Sequence, residues 1–87
     1  TLPIRRLPES QGKLVRVAGA RLPGWTGGKG YFLDDGDDFV IVQGLEKGAL
    51  PVGEGGVLDG RYRRDEWGAA WFQATGEEKL ELSIATG

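Results

Sequence analysis

The chain has 87 residues, a length that fits one compact domain. It contains neither cysteine nor histidine, which excludes disulfides, thiolate zinc sites and histidine-based acid–base catalysis. The formal net charge is −2, so any site for a polyanion has to be a local basic patch.

The glycine content indicates a β-rich fold. Sixteen glycines are a large share of this chain, and glycine is costly inside helices but useful in turns, bulges and coiled strands. No apolar run approaches the ~20 residues that span a membrane, so we expect no membrane partner. The first residue is Thr1, which indicates either a segment of a longer chain or a processed start.

The first half of the chain is predicted to form an N-terminal lead-in segment, without regular strand pairing, and three strands. Residues 1–11 hold Pro3 and Pro8, which interrupt ladder hydrogen bonding. Alternating apolar and polar side chains predict the first strand over residues 13–22, where Gly19 suggests a bulge or strong coiling. The second and third strands are predicted at residues 31–34 and 39–43, on either side of a glycine-containing turn.

The second half predicts two or three more strands. Residues 44–56 are too broken for a long helix and allow at most one helical turn around residues 45–50. A fourth strand with an internal Gly60 is predicted at residues 57–64, and a fifth at residues 69–74. Residues 79–84 alternate again and are either a sixth strand or the true fifth strand.

Three segments resemble OB-fold nucleic-acid-binding domains of the nuclease-associated or single-strand-binding type. Residues 12–19 (GKLVRVAG) are similar to their first strand, and residues 30–36 (GYFLDDG) to their second strand with its acidic turn. Residues 53–61 (GEGGVLDGR) are similar to the entry of their fourth strand.

The resemblance implies one OB-fold domain over residues 1–87. It is an all-β Greek-key barrel of five strands, or six if the C-terminal segment adds one, and the barrel covers about residues 12–76. The first strand is then expected to pair with both the second and the fourth.

Two loop tryptophans are the first candidates for the binding site. In OB-folds the ligand crosses the second and third strands between two loops, which here contain Trp25 and Trp67. We expect both rings to be exposed, to lie on the same side of the barrel and to stack on bases. The alternative is that each ring folds over an end of the barrel and plugs it.

Basic residues near these loops complete the predicted site, with Tyr31 on the second strand. The basic members are Lys29, Arg61, Arg63 and Arg64. Arginine and lysine around stacking aromatic rings are typical of single-strand binding. The alternative is an ordinary solvated strand face that neighbouring carboxylates neutralise. Tyr31 is the surface candidate because its hydroxyl tolerates water, although the sequence leaves the register open.

The sequence gives little support for a calcium site, a phosphate-binding loop or a catalytic site. The acidic turn at residues 34–38 lacks the spacing of an EF-hand, and hairpin turn chemistry accounts for it. The glycines of residues 24–30 lack the features of a phosphate loop. We therefore expect no enzyme activity, no catalytic residue, no cofactor and no metal.

The sequence thus predicts an accessory module for single-stranded DNA or RNA, joined to a nuclease or another nucleic-acid enzyme in a longer chain. Other domains of that chain are then further partners. The alternatives are a structural or protein-interaction OB domain and an oligosaccharide-binding one. Salt distinguishes a polyanion ligand from a sugar, because only polyanion binding weakens steeply as salt is added.

Overall fold

A computed structural model describes residues 1–44 and 50–75 of the chain. These form a 3₁₀ helix (Ile4–Ser10) and five strands: β1 (Leu14–Leu22), β2 (Tyr31–Asp34), β3 (Phe39–Gln43), β4 (Gly55–Arg64) and β5 (Ala70–Ala74). The helical turn predicted around residues 45–50 lies, except for its last residue, outside the described residues, as does the strand predicted at residues 79–84. No helix in the described ranges is long and apolar enough to cross a membrane.

The five strands close into an OB-like barrel in the order β1-β2-β3-β5-β4. β1 pairs antiparallel with β2 through its last residues and with β4 over most of its length. β3 and β5 run parallel and complete the closure. The predicted five-stranded barrel is confirmed, and so is the pairing of β1 with two partners.

The pairing of β2 with β3 determines which side chains enter the barrel. Tyr31 lies opposite Val42, and Leu33 opposite Val40. All four side chains are buried, since alternate residues of a strand point to the same face. The complete buried core comprises Ile4, Leu7, Val17, Tyr31, Leu33, Val40, Val42, Leu58, Tyr62, Phe72 and Ala74.

The N-terminal segment contributes a helix to this core. Ile4 and Leu7 are 3% and 0% exposed, and the helix packs against β3 and β4. Pro3 precedes the first turn and Pro8 lies inside the helix. The proline ring fixes a φ close to that of a helix, so the two prolines that prevent a strand here are compatible with a short 3₁₀ segment.

The helix lies where the barrel seam is weakest. The β3–β5 ladder consists of two pairs, Val42 with Phe72 and Gln43 with Gln73. A cleft of about 210 Å³ lies beside the unpaired beginnings of these strands, and side chains of the 3₁₀ helix form one of its walls. The helix therefore covers the part of the seam that backbone hydrogen bonds do not close.

One carboxylate fastens this helix to the β2–β3 turn. Asp35 Oδ2 accepts a hydrogen bond from the Ile4 N–H at 2.9 Å. Its Oδ1 accepts from the N–H groups of Asp37 and Asp38, at 2.9 and 3.0 Å. These donors, led by that of Ile4, hold the pKa of Asp35 below its usual value. Turn chemistry thus accounts for this acidic residue, as predicted.

Two strand glycines allow neighbouring backbones to approach closely. A Cβ on Gly19 would lie 2.7 Å from the Asp34 carbonyl oxygen. A Cβ on Gly60 would overlap the Gln73 carbonyl and lie 2.8 Å from the Phe72 ring. The β1–β4 register runs through both glycines without an extra residue, so the bulge considered for them is absent from this ladder. Glycine is required at these two positions because the neighbouring backbone lies too close to leave room for a side chain.

We expect Gly60→Ala to lower the free energy of unfolding by about 1–3 kcal/mol, because the new methyl group meets backbone that cannot move aside cheaply. Gly28→Ala is the matched control, since a Cβ there has no neighbour within 4 Å. Urea denaturation of both variants measures the difference. Equal stability of the two variants would contradict the packing role of Gly60.

Asp35→Asn should lower the melting temperature at neutral pH, because asparagine offers one acceptor oxygen where the carboxylate uses two. The pKa of Asp35 is lower in the folded than in the unfolded state. The stabilisation that its carboxylate gives the folded protein is therefore present above about pH 4 and is lost as the pH falls through the folded-state pKa. The variant should therefore lose less stability than the wild type between about pH 4 and pH 2. Asp37→Asn is the control, since among the described residues that exposed side chain contacts only Arg5, in an ion pair at 3.7 Å. Identical melting profiles for the two variants would contradict the role of Asp35 in holding the 3₁₀ helix to the β2–β3 turn.

Candidate functional site

A row of apolar side chains crosses the outside of the barrel. The register pairs Leu22 with Phe32 and Phe32 with Ile41. Continuing the β3–β5 register by one residue places Ile41 level with Trp71, which pairs with Arg63 of β4. These residues alternate with the core positions, so they face outward. We call Phe32, Ile41 and Trp71, together with Phe39, the aromatic face.

Phe39 extends the aromatic face toward the β2–β3 turn. Its ring contacts that of Phe32 edge to face, with centroids 5.6 Å apart and planes at 89°. Phe39 nevertheless stays 58% exposed. Contact with one neighbouring ring leaves most of this large apolar surface in water, and contiguous surface of this kind marks interaction sites.

A polar row lies next to the aromatic face. Gln43 of β3 pairs with Gln73 of β5, which pairs with Arg61 of β4. Trp71 Nε1 donates a hydrogen bond to Gln73 Oε1 at 2.9 Å, and this bond joins the aromatic face to the polar row. Amides beside aromatic rings provide both hydrogen-bond donors and acceptors to a flat ligand.

The two loop tryptophans are strongly exposed. Trp25 and Trp67 each keep 82% of their surface in contact with solvent. The alternative in which they plug the barrel is therefore wrong, and the buried side chains of the 3₁₀ helix cover the seam instead. Asp65 Oδ1 holds the second loop by accepting from the N–H groups of Trp67 and Ala69, both at 2.9 Å. The Trp67 ring thus projects from an ordered turn.

These tryptophans lie at opposite ends of the aromatic face. The loop of Trp25 enters β2 at Tyr31, which is level with Val42 near the end of β3. The loop of Trp67 enters β5 at Ala70, near the beginning of the parallel β3. The expectation that both loops lie on the same side of the barrel is therefore wrong. Because β3 and β5 run parallel, one tryptophan lies at each end of the aromatic face.

The predicted basic residues fall into two groups. Arg61 is partly buried, and its Nη1 donates to the Gly12 carbonyl at 2.9 Å, so it also holds backbone in place. Lys29, Arg63 and Arg64 are exposed. No carboxylate in the described ranges forms an ion pair with these three side chains. Lys29 lies in the Trp25 loop, whereas the two arginines end β4 next to β5.

Two of the three carboxylates that could neutralise this patch have other partners, and the third, the exposed Glu66, forms no ion pair with a described cation. Asp59 accepts two hydrogen bonds from Arg16, at 2.6 and 2.9 Å, and this pairing lowers the pKa of Asp59. Asp65 accepts the turn N–H groups described above. Arg63 therefore keeps its charge available at the border of the aromatic face, whereas the next residue, Arg64, lies on the opposite side of the strand.

Tyr31 does not have the exposed ring that we expected. It is 5% exposed and shares the inner face with Leu33, because the register directs Phe32 outward in its place. The guanidinium of Arg21 lies 4.5 Å from the ring centroid. Burial raises the pKa of the Tyr31 hydroxyl, although the Leu50 backbone and Arg21 oppose this effect. Tyr31 is a core residue whose edge reaches a surface cleft.

The aromatic face and the two glutamines could not be predicted from the sequence. Apolar residues stand next to one another in β2 and β5, so alternation alone leaves their inner and outer members undecided. Strand register supplies the missing information. As for metals, no group of three or more acidic side chains within residues 1–44 and 50–75 is arranged to hold an ion.

Trp25→Ala and Trp67→Ala should each change the free energy of unfolding by no more than about 0.5 kcal/mol, because both rings are exposed. Phe72→Ala, at a fully buried position, should cost about 3–5 kcal/mol. Chemical denaturation of the three variants compares these values. A loss comparable to that of Phe72→Ala in either tryptophan variant would contradict the exposed placement.

Comparisons with known proteins do not identify a relative from which the function of the site could be inferred. No protein-family model, curated protein or solved structure matches this chain. An OB-like barrel serves several unrelated ligand classes, so the fold alone does not define a function. The aromatic face, the polar row and the exposed cations are therefore the features that bear on function.

Proposed function

We propose that this barrel is an accessory binding module for single-stranded DNA or RNA, which crosses the aromatic face of β2, β3 and β5. The observation that carries the proposal is the outward row of Phe32, Ile41 and Trp71, with exposed Phe39 beside it. Every base has a flat π-face, and stacking on aromatic side chains contributes about 1–3 kcal/mol per base.

The exposed tryptophans extend this platform. Trp25 and Trp67 lie at its two ends, so bases leaving the aromatic face meet a further ring on either side. β3 and β5 have five residues each, which makes the face about 17 Å long. Such a length suits a short site at the lower end of the roughly 4–16 nucleotides that one OB-fold contacts.

The charges favour a defined path for the phosphates. Arg63 borders the face along β4, Arg64 follows it at the end of that strand, and Lys29 lies at the Trp25 end. The acidic side chains of the β2–β3 turn lie at the Trp67 end of the face but on the side away from β4, so they favour a phosphate path along β4. With a net charge of −2 for the whole chain, binding depends on these few local cations.

Phe39→Ala should weaken binding of a single-stranded 12-mer by about 5- to 150-fold, since one stacking surface is lost. Quenching of tryptophan fluorescence at low salt measures the affinity. Val52→Ala is the control, because that side chain is also exposed, at 56%, but lies outside the three strands. Both variants should melt like the wild type. Failure of the wild-type protein to bind any single-stranded oligonucleotide at low salt would overturn the proposal.

Affinity for the same oligonucleotide should fall as salt rises, with a logarithmic slope of about −1.4 if Lys29 and Arg63 each meet one phosphate. Arg63→Ala should reduce the magnitude of that slope by about 0.7. Arg6→Ala is the matched control, because Arg6 pairs with Glu9 on the exposed side of the 3₁₀ helix. Binding of the oligonucleotide that is independent of salt would contradict the proposed phosphate contacts.

A further inference from the structure

A surface cleft opens at the Trp25 end of the aromatic face. Its volume is about 420 Å³, within the range of small-molecule sites. The described residues that line it are Lys29, Gly30, Tyr31, Val42, Gln43, Gly44 and Gln73. The cleft thus joins the end of the first loop to the ends of β3 and β5.

Two glycines with positive φ bring backbone close to the glutamines. Gly30 has φ +92°, and a Cβ there would overlap the Val42 carbonyl. Gly44 has φ +100°, and a Cβ there would lie 2.8 Å from the Ala74 carbonyl oxygen and close against Gln73 Nε2. Glycine at both positions keeps the cleft free of side chains beside the amide groups.

The orientation of the Gln73 amide follows from its partner. The indole Nε1–H of Trp71 is a donor only, so the atom that it contacts at 2.9 Å has to be the Gln73 oxygen. The NH₂ group then points the other way, toward Gly44 and the cleft. Gln73 therefore presents hydrogen-bond donors, and Trp71 acts as its positioning residue.

We propose that this cleft holds one base of the bound strand and selects thymine or uracil. The inference rests on the proposed function, because the base arrives as part of a strand on the aromatic face. The Gln73 NH₂ donates to one carbonyl oxygen of the base, and the Lys29 ammonium donates to the other. Gln43, which pairs with Gln73 across the strands, accepts from the ring N–H between those carbonyls.

Adenine is the base that fits this set of groups least well. It has no carbonyl oxygen, and its amino group is a donor where thymine has an acceptor. Placing adenine in the cleft would set donor against donor at Gln73. A site built to pair with a polar group discriminates strongly against a ligand that leaves its own donors unpaired.

The test compares dT12 with dA12 at one salt concentration by fluorescence titration. The wild type should prefer dT12 by at least about five-fold. Gln73→Glu keeps an acceptor for Trp71 but removes the donors, so it should abolish the preference. Gln11→Glu, the same change at the exposed end of the 3₁₀ helix, controls for the added charge, which weakens binding of both strands alike.

Trp71→Phe tests the positioning role separately. Phenylalanine retains an aromatic ring but cannot donate to Gln73, so binding of dT12 should weaken by a larger factor than binding of dA12, and the preference for dT12 should fall. The Gln73 side-chain amide should also shift in the ¹H–¹⁵N spectrum on addition of dT12. Thermal melts confirm that each variant is folded.

The outcomes separate the two proposals. A preference for dT12 that Gln73→Glu leaves intact overturns the cleft proposal, since flexible pyrimidine strands can be favoured by stacking and backbone alone. Equal binding of dT12 and dA12 by the wild type overturns it as well, while the proposed function stands. Absence of binding to either strand at low salt overturns both.

Discussion

The pairing of β2 with β3 decides what this barrel presents to its core and to solvent. With Tyr31 opposite Val42 and Phe32 opposite Ile41, one set of side chains fills the barrel and the other forms the aromatic face. A slip of one residue would exchange the two sets, because the side-chain period of a strand is two. The hairpin turn fixes this register through hydrogen bonds of the Asp35 carboxylate.

The same carboxylate connects the register to the closure of the barrel. Asp35 also binds the first N–H of the 3₁₀ helix, which places Ile4 and Leu7 against the short β3–β5 seam. A small domain buries a limited share of its surface, so loss of this cover would expose a substantial fraction of the core. The helix shares a cleft with Phe39 and Ile41 at this seam, so it borders the aromatic face at the beginning of β3.

Much of the fold could be predicted from the sequence because local signals agree. Alternating side chains and glycine turns place all five strands within two residues of their observed bounds, and the two exposed tryptophans stand in loops as expected. The N-terminal helix could not be predicted in the same way, because Pro3 and Pro8 exclude a regular strand without specifying which structure replaces it. The faces of β2 could not be predicted, because Tyr31 and Phe32 are both aromatic and only the long-range register tells them apart.

The candidate site depends on that same long-range information. Phe39, Ile41 and Trp71 come from two strands that are parallel neighbours but distant in sequence, so no local motif unites them. The basic residues were easier to find, because charged side chains at the end of a strand are normally solvated. What local sequence could not reveal is that Arg63 borders an aromatic face, a fact that follows from the β4–β5 register.

Chemical-shift mapping with a single-stranded oligonucleotide tests the central claim most directly. At low salt, the account predicts that amide shifts concentrate at Phe32, Phe39, Ile41 and Trp71, together with shifts of the Trp25 and Trp67 indole N–H signals. Shifts confined to the opposite side of the barrel, where β1 pairs with β4, would contradict it, and so would a spectrum that the oligonucleotide leaves unchanged.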